Sequence, residues 1–285
     1  MVARPLPLGM SPDLTLSPSR MSEAALVGRI RERGPALIAL SGGVDSSLVA
    51  SLAYEALGND ALAATVSNAA LAPRESERAA RVAHSIGIRH RVLVAEPLDR
   101  PEYRANGADR CYFCRAVESS ALLDLGRRHG VRQYLDGIHL DDLSDDRPGI
   151  RAVNEAGFSH PLLEAGWTKL DVRESARYRG LPNWDLPSDA CLASRVARGE
   201  PIDGALLSRI DTAERVLHEH GFRRVRVRVR SGAARIEVDP DEVDRLVAEP
   251  LQGEVTRRLE SLGFSTVTVD PRGYPGGRTV LPVLR

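Results

Sequence analysis

The residues best suited by type and spacing to do chemistry begin with Ser41-Gly42-Gly43-Val44-Asp45-Ser46-Ser47. An apolar run, Ala36-Leu37-Ile38-Ala39-Leu40, precedes them and reads as a buried strand. A helical pattern, Leu48-Val49-Ala50-Ser51-Leu52-Ala53, follows. A glycine-containing turn between a strand and a helix is a place to hold phosphate. Gly42 and Gly43 let the backbone approach an anion closely. The helix N-terminus adds unpaired N–H groups and the positive end of its dipole. Ser46 and Ser47 can cap that helix or bind a phosphate oxygen. Asp45 would repel phosphate, unless it holds a Mg²⁺ that the phosphates also ligate. The string is neither a G-x-x-x-x-G-K-[ST] loop nor a G-x-G-x-x-G loop. The bland alternative is an ordinary strand-to-helix turn with a serine cap.

A second group is the three cysteines. Cys111-Tyr112-Phe113-Cys114 is a C-x-x-C flanked by Arg110 and Arg115, at the start of a helical stretch, and Cys191 lies far downstream. A helix N-terminus and neighbouring arginines both favour thiolate. The odd count argues against a disulfide framework. Buried, incidental cysteines would suit Cys191 alone, and a redox dithiol would leave Cys191 unexplained. Structural zinc wants four closed ligands, so it would need a histidine as well. A 4Fe-4S cluster held by three cysteines leaves one iron open for chemistry such as carrying a sulfide. The cluster ranks first and zinc second, and spacing does not decide between them.

A third group is the strand Arg223-Arg224-Val225-Arg226-Val227-Arg228-Val229-Arg230, with valine on one face and arginine on the other. Like charges along one strand face repel. The row is therefore either a solvated cationic face or an anion-binding face, and spacing favours neither.

The elements that must position these groups read as an α/β fold. Strand candidates at Leu37–Leu40, Leu62–Val66, Arg91–Val94 and Tyr134–Asp136 alternate with helical patterns near Ser46–Leu57, Glu75–Ile86 and Cys114–Arg128. That alternation predicts a parallel sheet with helices on both faces. Its ligands bind beyond the carboxyl ends of the strands. Ser67 and Asn68, then Asp136 and Gly137, would face the same crevice as the Ser41 loop. The proline-rich residues 181–202 read as a loop carrying Cys191. After it come a helix (Asp203–His220), strands at Arg223–Arg230 and Ala234–Val238, a helical stretch (Asp241–Leu262) and a last strand (Ser265–Val269). The expected organisation is a mobile leader over 1–20, a nucleotide domain over 21–180, the loop over 181–202, and a smaller α+β domain over 203–285.

The 285 residues can bury a good core, and lysine plus arginine equal aspartate plus glutamate at 39 each. Zero net charge weakens a broad nucleic-acid surface. No apolar run approaches membrane-spanning length, and the first twenty residues lack a signal-peptide core, so a cytoplasmic location is expected. Lys169 is the only lysine, a bias that codon usage alone could produce.

The Ser41–Ser47 string resembles the PP-loop of the ATP pyrophosphatase superfamily, which splits ATP between its α and β phosphates and adenylates a substrate oxygen. The resemblance implies that pyrophosphate sits on Gly42–Ser47. The ordered set of PP-loop, C-x-x-C, Asp136-Gly137, Asp146-Arg147-Pro148-Gly149, Asn154-Glu155-Ala156-Gly157, Pro187–Arg195 and Arg224–Arg228 further resembles the LarE-type ATP-dependent sulfur transferases. That resemblance covers roughly residues 24–280. It implies adenylation, then thiocarboxylation, of pyridinium-3,5-biscarboxylic acid mononucleotide for the nickel-pincer nucleotide.

The resemblance also implies a sulfur source and a set of roles. Cys191 matches a cysteine that, in one branch of the family, gives up its own sulfur. Cys111, Cys114 and Cys191 together match the branch that binds a 4Fe-4S cluster. Arg226 and Arg228 match arginines that hold the substrate's phosphate, and Glu214 matches an acidic residue near that site, while Glu237 and Asp244 match more weakly. Gly273-Tyr274-Pro275-Gly276-Gly277-Arg278 departs from the pattern, with proline in place of an arginine. ATP, Mg²⁺ and the cluster are the implied cofactors. A homo-oligomer, a sulfide donor and a downstream nickel-insertion protein are the implied partners, with no membrane. A tRNA-thiolating PP-loop enzyme with a 4Fe-4S cluster is the alternative; zero net charge disfavours it. An ammonia-using PP-loop amidating enzyme and a non-enzymatic nucleotide-binding protein are weaker alternatives, the first having no use for three cysteines.

Overall fold

The computed structural model describes residues 21–144, 148–187 and 190–274. The expected leader over 1–20, Asp146 and Arg147, Ser188 and Asp189, and Pro275–Arg278 of the C-terminal motif lie outside these residues. Helix α1 (Glu23–Arg33) leads into β1 (Ala36–Ala39), α2 (Val44–Leu57), β2 (Ala61–Ser67), α3 (Pro73–Ile86) and β3 (Arg89–Val94). A short α4 (Pro101–Arg104), the long α5 (Arg110–Arg128), β4 (Gln133–Leu135), α6 (Pro148–Glu155), α7 (Pro161–Glu164) and α8 (Lys169–Tyr178) follow. The second half runs α9 (Gly204–Glu219), β5 (Val225–Arg230), β6 (Ala233–Val238), α10 (Val243–Val247), α11 (Leu251–Ser261) and β7 (Val267–Val269).

The strands β3-β2-β1-β4 form one parallel sheet in that order. Each expected strand is found within two residues of its expected bounds. β1 lies in the middle of the sheet, and its side chains alternate between faces as a strand requires. Leu37 packs with Leu62, Leu122, Leu125 and Phe158 on one face. Ile38 packs with Leu26, Leu48, Leu52, Trp167 and Val172 on the other. Helices α1, α2, α3 and α8 thus cover one face, and α5 and α6 the other. Helix α2 is buried on nearly every side, as a helix that is apolar all round must be.

Strand order reverses at β1: β2 and β3 extend to one side and β4 lies on the other. The crevice at such a reversal, beyond the carboxyl ends, is where an open α/β sheet binds ligands. The Ser41–Ser47 loop leaves β1 at that point.

The second half builds a three-stranded sheet, β5-β6-β7, with β5 and β6 antiparallel and β6 and β7 parallel. Val225, Val227 and Val229 face inward against Leu207, Ile210, Ala213 and Leu217 of α9. Ala70, Ala72 and Tyr103 from the first half, and Leu192, Ala193 and Val196 from the Cys191 segment, join the same core. The expected unbroken helix over 241–262 is instead two helices, because Pro250 stands between α10 and α11 and cannot continue a helix interior. Among the described residues, no helix is long and apolar enough to cross a membrane.

The end of β4 is pressed onto the start of α2. A Cβ added at Gly137 would lie 2.6 Å from the backbone nitrogen of Ser46 and 2.8 Å from the carbonyl carbon of Asp45. Both are backbone atoms, so neither can swing aside. Gly137→Ala is therefore expected to destabilise the protein by about 1–3 kcal/mol, read as a lower urea midpoint with an unchanged slope, and to loosen nucleotide binding at the displaced loop.

Candidate functional site

The loop is held in its open shape by its own serines. Gly42 takes φ +79°, and a Cβ there would lie 3.0 Å from Ala79 N and 3.1 Å from Glu75 O, so a larger residue would both strain the backbone and strike α3. Ser47 Oγ donates to Gly43 O at 2.7 Å and Ser46 Oγ donates to the same carbonyl at 3.2 Å. Ser41 N donates to Ser46 Oγ at 3.2 Å. From outside the loop, Asn183 Nδ2 donates to Gly42 O and to Ser47 Oγ, each at 2.9 Å, and Arg78 Nε donates to Gly42 O at 3.2 Å. The carbonyl that could turn toward an anion is tied back, and the helix N-terminus is left to face the crevice.

Asp45 lies in the first turn of α2 and carries Lys169 Nζ at 2.6 and 2.7 Å from its two carboxylate oxygens. His139 Nε2 lies 3.7 Å from Asp45 and 3.5 Å from Asp142. Ser67 ends β2 at the same edge of the sheet, and Gly137 lies against Asp45 and Ser46. Asp136, just before Gly137, is fixed by His160: Nδ1 lies 2.7 Å from Asp136 Oδ1, and Nε2 meets Asn154 Oδ1. Burial opposes charge on His160, but the bond to Asp136 outweighs it and the ring titrates above its ordinary value.

The cysteines sit where the two sheets meet. Cys111 and Cys114 lie within the first turns of α5, which begins at Arg110 rather than at the expected Cys114. Cys191 precedes a turn of 3₁₀ helix, Leu192–Arg195. All three are free thiols, and Cys114 and Cys191 pack on the shared core. Arg110 Nη2 donates to Cys111 Sγ at 3.7 Å, and its other terminal nitrogen donates to Ala193 O at 2.8 Å. The expectation of thiolates is corrected. Burial raises both Cys114 and Cys191, and the Arg115 and Arg110 charges that oppose it do not win. Each is also raised by another cysteine, Cys114 by Cys191 and Cys191 by Cys111. Among the described residues, no three of His, Cys, Asp and Glu form a group ready to hold a metal ion.

Two links join the cysteines to the nucleotide edge. Asn68, after Ser67, donates to Glu118 Oε1 at 3.1 Å, and Cys114 Sγ donates to the same oxygen at 3.5 Å. Leu192 N donates to Ala70 O at 2.9 Å. Residue types alone did not flag Glu118 or Ala70, since a carboxylate on an exposed-looking helix turn and a loop alanine carry no signature.

Glu214, expected among the catalytic residues, lies inside the protein on α9. Its side chain is 0% exposed and accepts from Arg195 Nε at 2.8 Å, Arg195 Nη2 at 3.3 Å, Arg74 Nη2 at 3.2 Å and Val227 N at 3.1 Å. Two arginines and a backbone N–H thus engage this carboxylate. It anchors Arg195, which in turn donates to the Ala190, Cys191 and Ser194 oxygens.

Along the arginine strand, Arg223 and Arg230 are exposed, and the arginines between them meet protein groups. Arg224 pairs with Asp239 at 3.0 Å, and Arg228 Nε donates to Glu237 at 3.1 Å. Arg226 is buried and stacks 3.8 Å above the Tyr274 ring. Arg228 Nη1 also donates to Ser194 O at 2.9 Å, and its side chain stays 30% exposed. The carboxylates of the neighbouring strand relieve the repulsion along the row.

Removing one partner of a buried pair leaves the other charge uncompensated, at a cost of about 3–5 kcal/mol. Glu214→Gln is expected to lose stability of that order in chemical denaturation, and Arg195→Met added to it is expected to recover part of the loss.

Comparison with known proteins agrees with this layout. The asparagine synthase family model matches residues 22–105, which hold the loop and the first three strands. An uncharacterized protein of Synechocystis is 42% identical over 243 residues, 85% of this chain and 91% of that one. The pyridinium-3,5-bisthiocarboxylic acid mononucleotide synthase of Lactiplantibacillus plantarum is 33% identical over 257 residues, 90% of this chain and 92% of that one. A match of 257 residues cannot fit within either sheet-bearing half, so the likeness spans both, and the chain belongs to the family of that synthase, the LarE-type ATP-dependent sulfur transferases.

Proposed function

We propose that this enzyme adenylates the carboxylates of pyridinium-3,5-biscarboxylic acid mononucleotide and converts them to thiocarboxylates. The observation that carries this reading is the pair of links, Asn68–Glu118–Cys114 and Ala70–Leu192, from the loop after β2, at the carboxyl edge of the sheet, to Cys114 and to the residue after Cys191. An ATP-cleaving loop alone would serve many reactions. Such a loop in one fold with cysteines linked to the same sheet edge suits a reaction in which an activated carbonyl meets sulfur, and the relative named for a bisthiocarboxylic acid mononucleotide matches over both halves.

In this reading, residues 21–180 bind and activate ATP, 181–202 present Cys191, and 203–285 hold the substrate. The pyrophosphate portion of ATP rests on the α2 N-terminus, with Gly42, Gly43, Ser41, Ser46 and Ser47 shaping the cradle. Asp45 would hold Mg²⁺, which when bound neutralises charge on the phosphates. A substrate carboxylate oxygen attacks the α-phosphorus and pyrophosphate leaves. Sulfur then attacks the acyl carbon, and AMP departs with the former carboxylate oxygen. A carboxylate is a poor electrophile, and the mixed anhydride supplies the leaving group. Arg226 and Arg228 take the mononucleotide's phosphate, which Arg228 can reach because it is the more exposed of the two. Arg228 also holds Ser194 O, so the same side chain that grips substrate steadies the Cys191 segment.

Three free thiols, with Arg110 and Arg115 flanking the C-x-x-C, suit a 4Fe-4S cluster in donor type and number, and would have to draw together and lose their protons to hold it. Cys111, Cys114 and Cys191 would hold it, and when bound it would supply sulfide at an open iron. The proposal includes a cytoplasmic, homo-oligomeric enzyme served by a sulfide donor.

Anaerobically purified protein, given Mg-ATP and the mononucleotide, is expected to form AMP and thiocarboxylate together. It is expected to carry iron and acid-labile sulfide, both lost in Cys111→Ala, Cys114→Ala and Cys191→Ala. Iron-free protein that turns over, or loss of H₂S from Cys191 during turnover, contradicts the cluster. No AMP with this mononucleotide contradicts the substrate.

A further inference from the structure

Tyr103 is 1% exposed, and among the described residues its hydroxyl has no hydrogen-bond partner. A buried hydroxyl left without a partner costs folding free energy. A phenylalanine would fill the same space without that cost, so the orphaned group calls for a ligand or a chemical role.

Its place in the fold narrows the choice. Tyr103 belongs to α4, just ahead of the helix that carries the C-x-x-C. It packs in the core that also takes Leu192 and Ala193, and Cys114 and Cys191 lie against that core. The backbone on either side of it is pinned to the stretch after Cys191. Ile202 N donates to Arg104 O at 2.9 Å, and Asn106 Nδ2 donates to Ala197 O at 2.9 Å and to Glu200 O at 3.0 Å. A ring so enclosed cannot swing its hydroxyl out to water. Burial first, and then negative charge at Cys114 and Cys191, keep the phenol protonated far above its ordinary range. It therefore remains a donor when those sulfurs are anionic.

The three sulfurs differ in the donors they meet. Arg110 Nη2 donates to Cys111 Sγ at 3.7 Å, and the Ser194 N–H favours negative charge on Cys191. Cys114 accepts from none of the described residues, and gives its own proton to Glu118 Oε1 at 3.5 Å. Once that proton leaves, a thiolate faces a carboxylate, with Arg115 the neighbouring cation. A desolvated anionic sulfur needs a donor. A buried donor without an acceptor and a sulfur without a donor thus meet at one core.

We propose that the Tyr103 hydroxyl is the hydrogen-bond donor to anionic sulfur at Cys114, either the thiolate or a cluster sulfide beside it, and that it acts as a positioning residue for that sulfur. The proposal rests on the reading of the three cysteines as the place where sulfur is held.

Tyr103→Phe removes the hydroxyl and keeps the ring. In the metal-free full chain it is expected to unfold at a urea midpoint equal to or above that of wild type, because only an orphaned group is lost. A lower midpoint shows that the hydroxyl is already partnered in the empty protein and overturns the proposal. In anaerobically purified, iron-loaded protein, potentiometric titration is expected to give a more negative midpoint for Tyr103→Phe, since donors to cluster sulfurs favour the reduced state. An unchanged midpoint overturns the proposal and leaves the cluster standing. Wild type without iron overturns the cluster reading, and cadmium(II) titrated into the metal-free chain then reads the thiolate. Tyr103→Phe is expected to bind cadmium about tenfold more weakly than wild type, the size of one hydrogen bond to a charged group, and equal binding overturns the proposal. A wild type that takes neither iron nor cadmium overturns both the proposal and the reading beneath it.

Discussion

The buried contact between Arg195 and Glu214 decides where the sulfur stands. Neither side chain has measurable exposure, and a buried ion pair is costly unless its remaining donors and acceptors are filled. Here they are. Glu214 takes a second arginine and a backbone N–H of β5, and Arg195 gives its remaining N–H groups to the backbone and side-chain oxygens around Cys191. One carboxylate on α9 thereby joins α3, β5 and the Cys191 segment. Residues 190–196, a proline-flanked stretch with little periodic structure of its own, acquire a fixed shape from this pair. Ala70 from below, Arg110 from α5 and Arg228 from β5 add their contacts around it.

The phosphate loop poses the opposite electrostatic problem. It gathers donors for an anion and yet carries a carboxylate in the same turn. Tying the Gly42 and Gly43 carbonyls back with Ser46, Ser47, Asn183 and Arg78 keeps acceptor dipoles out of the cradle. Setting Lys169 on Asp45 keeps the mouth from being net repulsive. The short loop after β2, at the same edge of the sheet as the cradle, meets the cysteine side twice, through Asn68 to Glu118 and through Ala70 to Leu192.

Much of this was legible in the sequence, for definite reasons. β1 and β2 are short apolar runs closed by polar turns, and burial on both faces made them easy to find. The Ser41–Ser47 string depends on local spacing alone, so the sequence contains all of it. Helices α1, α6 and α8 were not anticipated, because each buries only two or three side chains and the apolar period is too brief to read. Their caps were visible, Ser22 for α1 and Thr168 with Asp171 for α8. Pro250 broke a helix that composition alone ran together. Charge state was the least legible quantity. Flanking arginines suggested thiolates, but burial, which no spacing reports, reversed the sign at Cys114 and Cys191. Arg228 was answered by Glu237 on the neighbouring strand, which only the register brings alongside, and Arg224 by Asp239 just past that strand. Lys169 was conspicuous by its uniqueness, and only the fold showed which carboxylate it meets.

The central claim is that the loop activates a carboxylate which the cysteine side then converts. Mononucleotide carrying ¹⁸O in its carboxylates tests it in one turnover. Adenylation followed by displacement moves one labelled oxygen into the phosphate of each AMP and none into pyrophosphate. Unlabelled AMP, or label in pyrophosphate, would show that the carboxylate never attacked the α-phosphorus and would contradict the account.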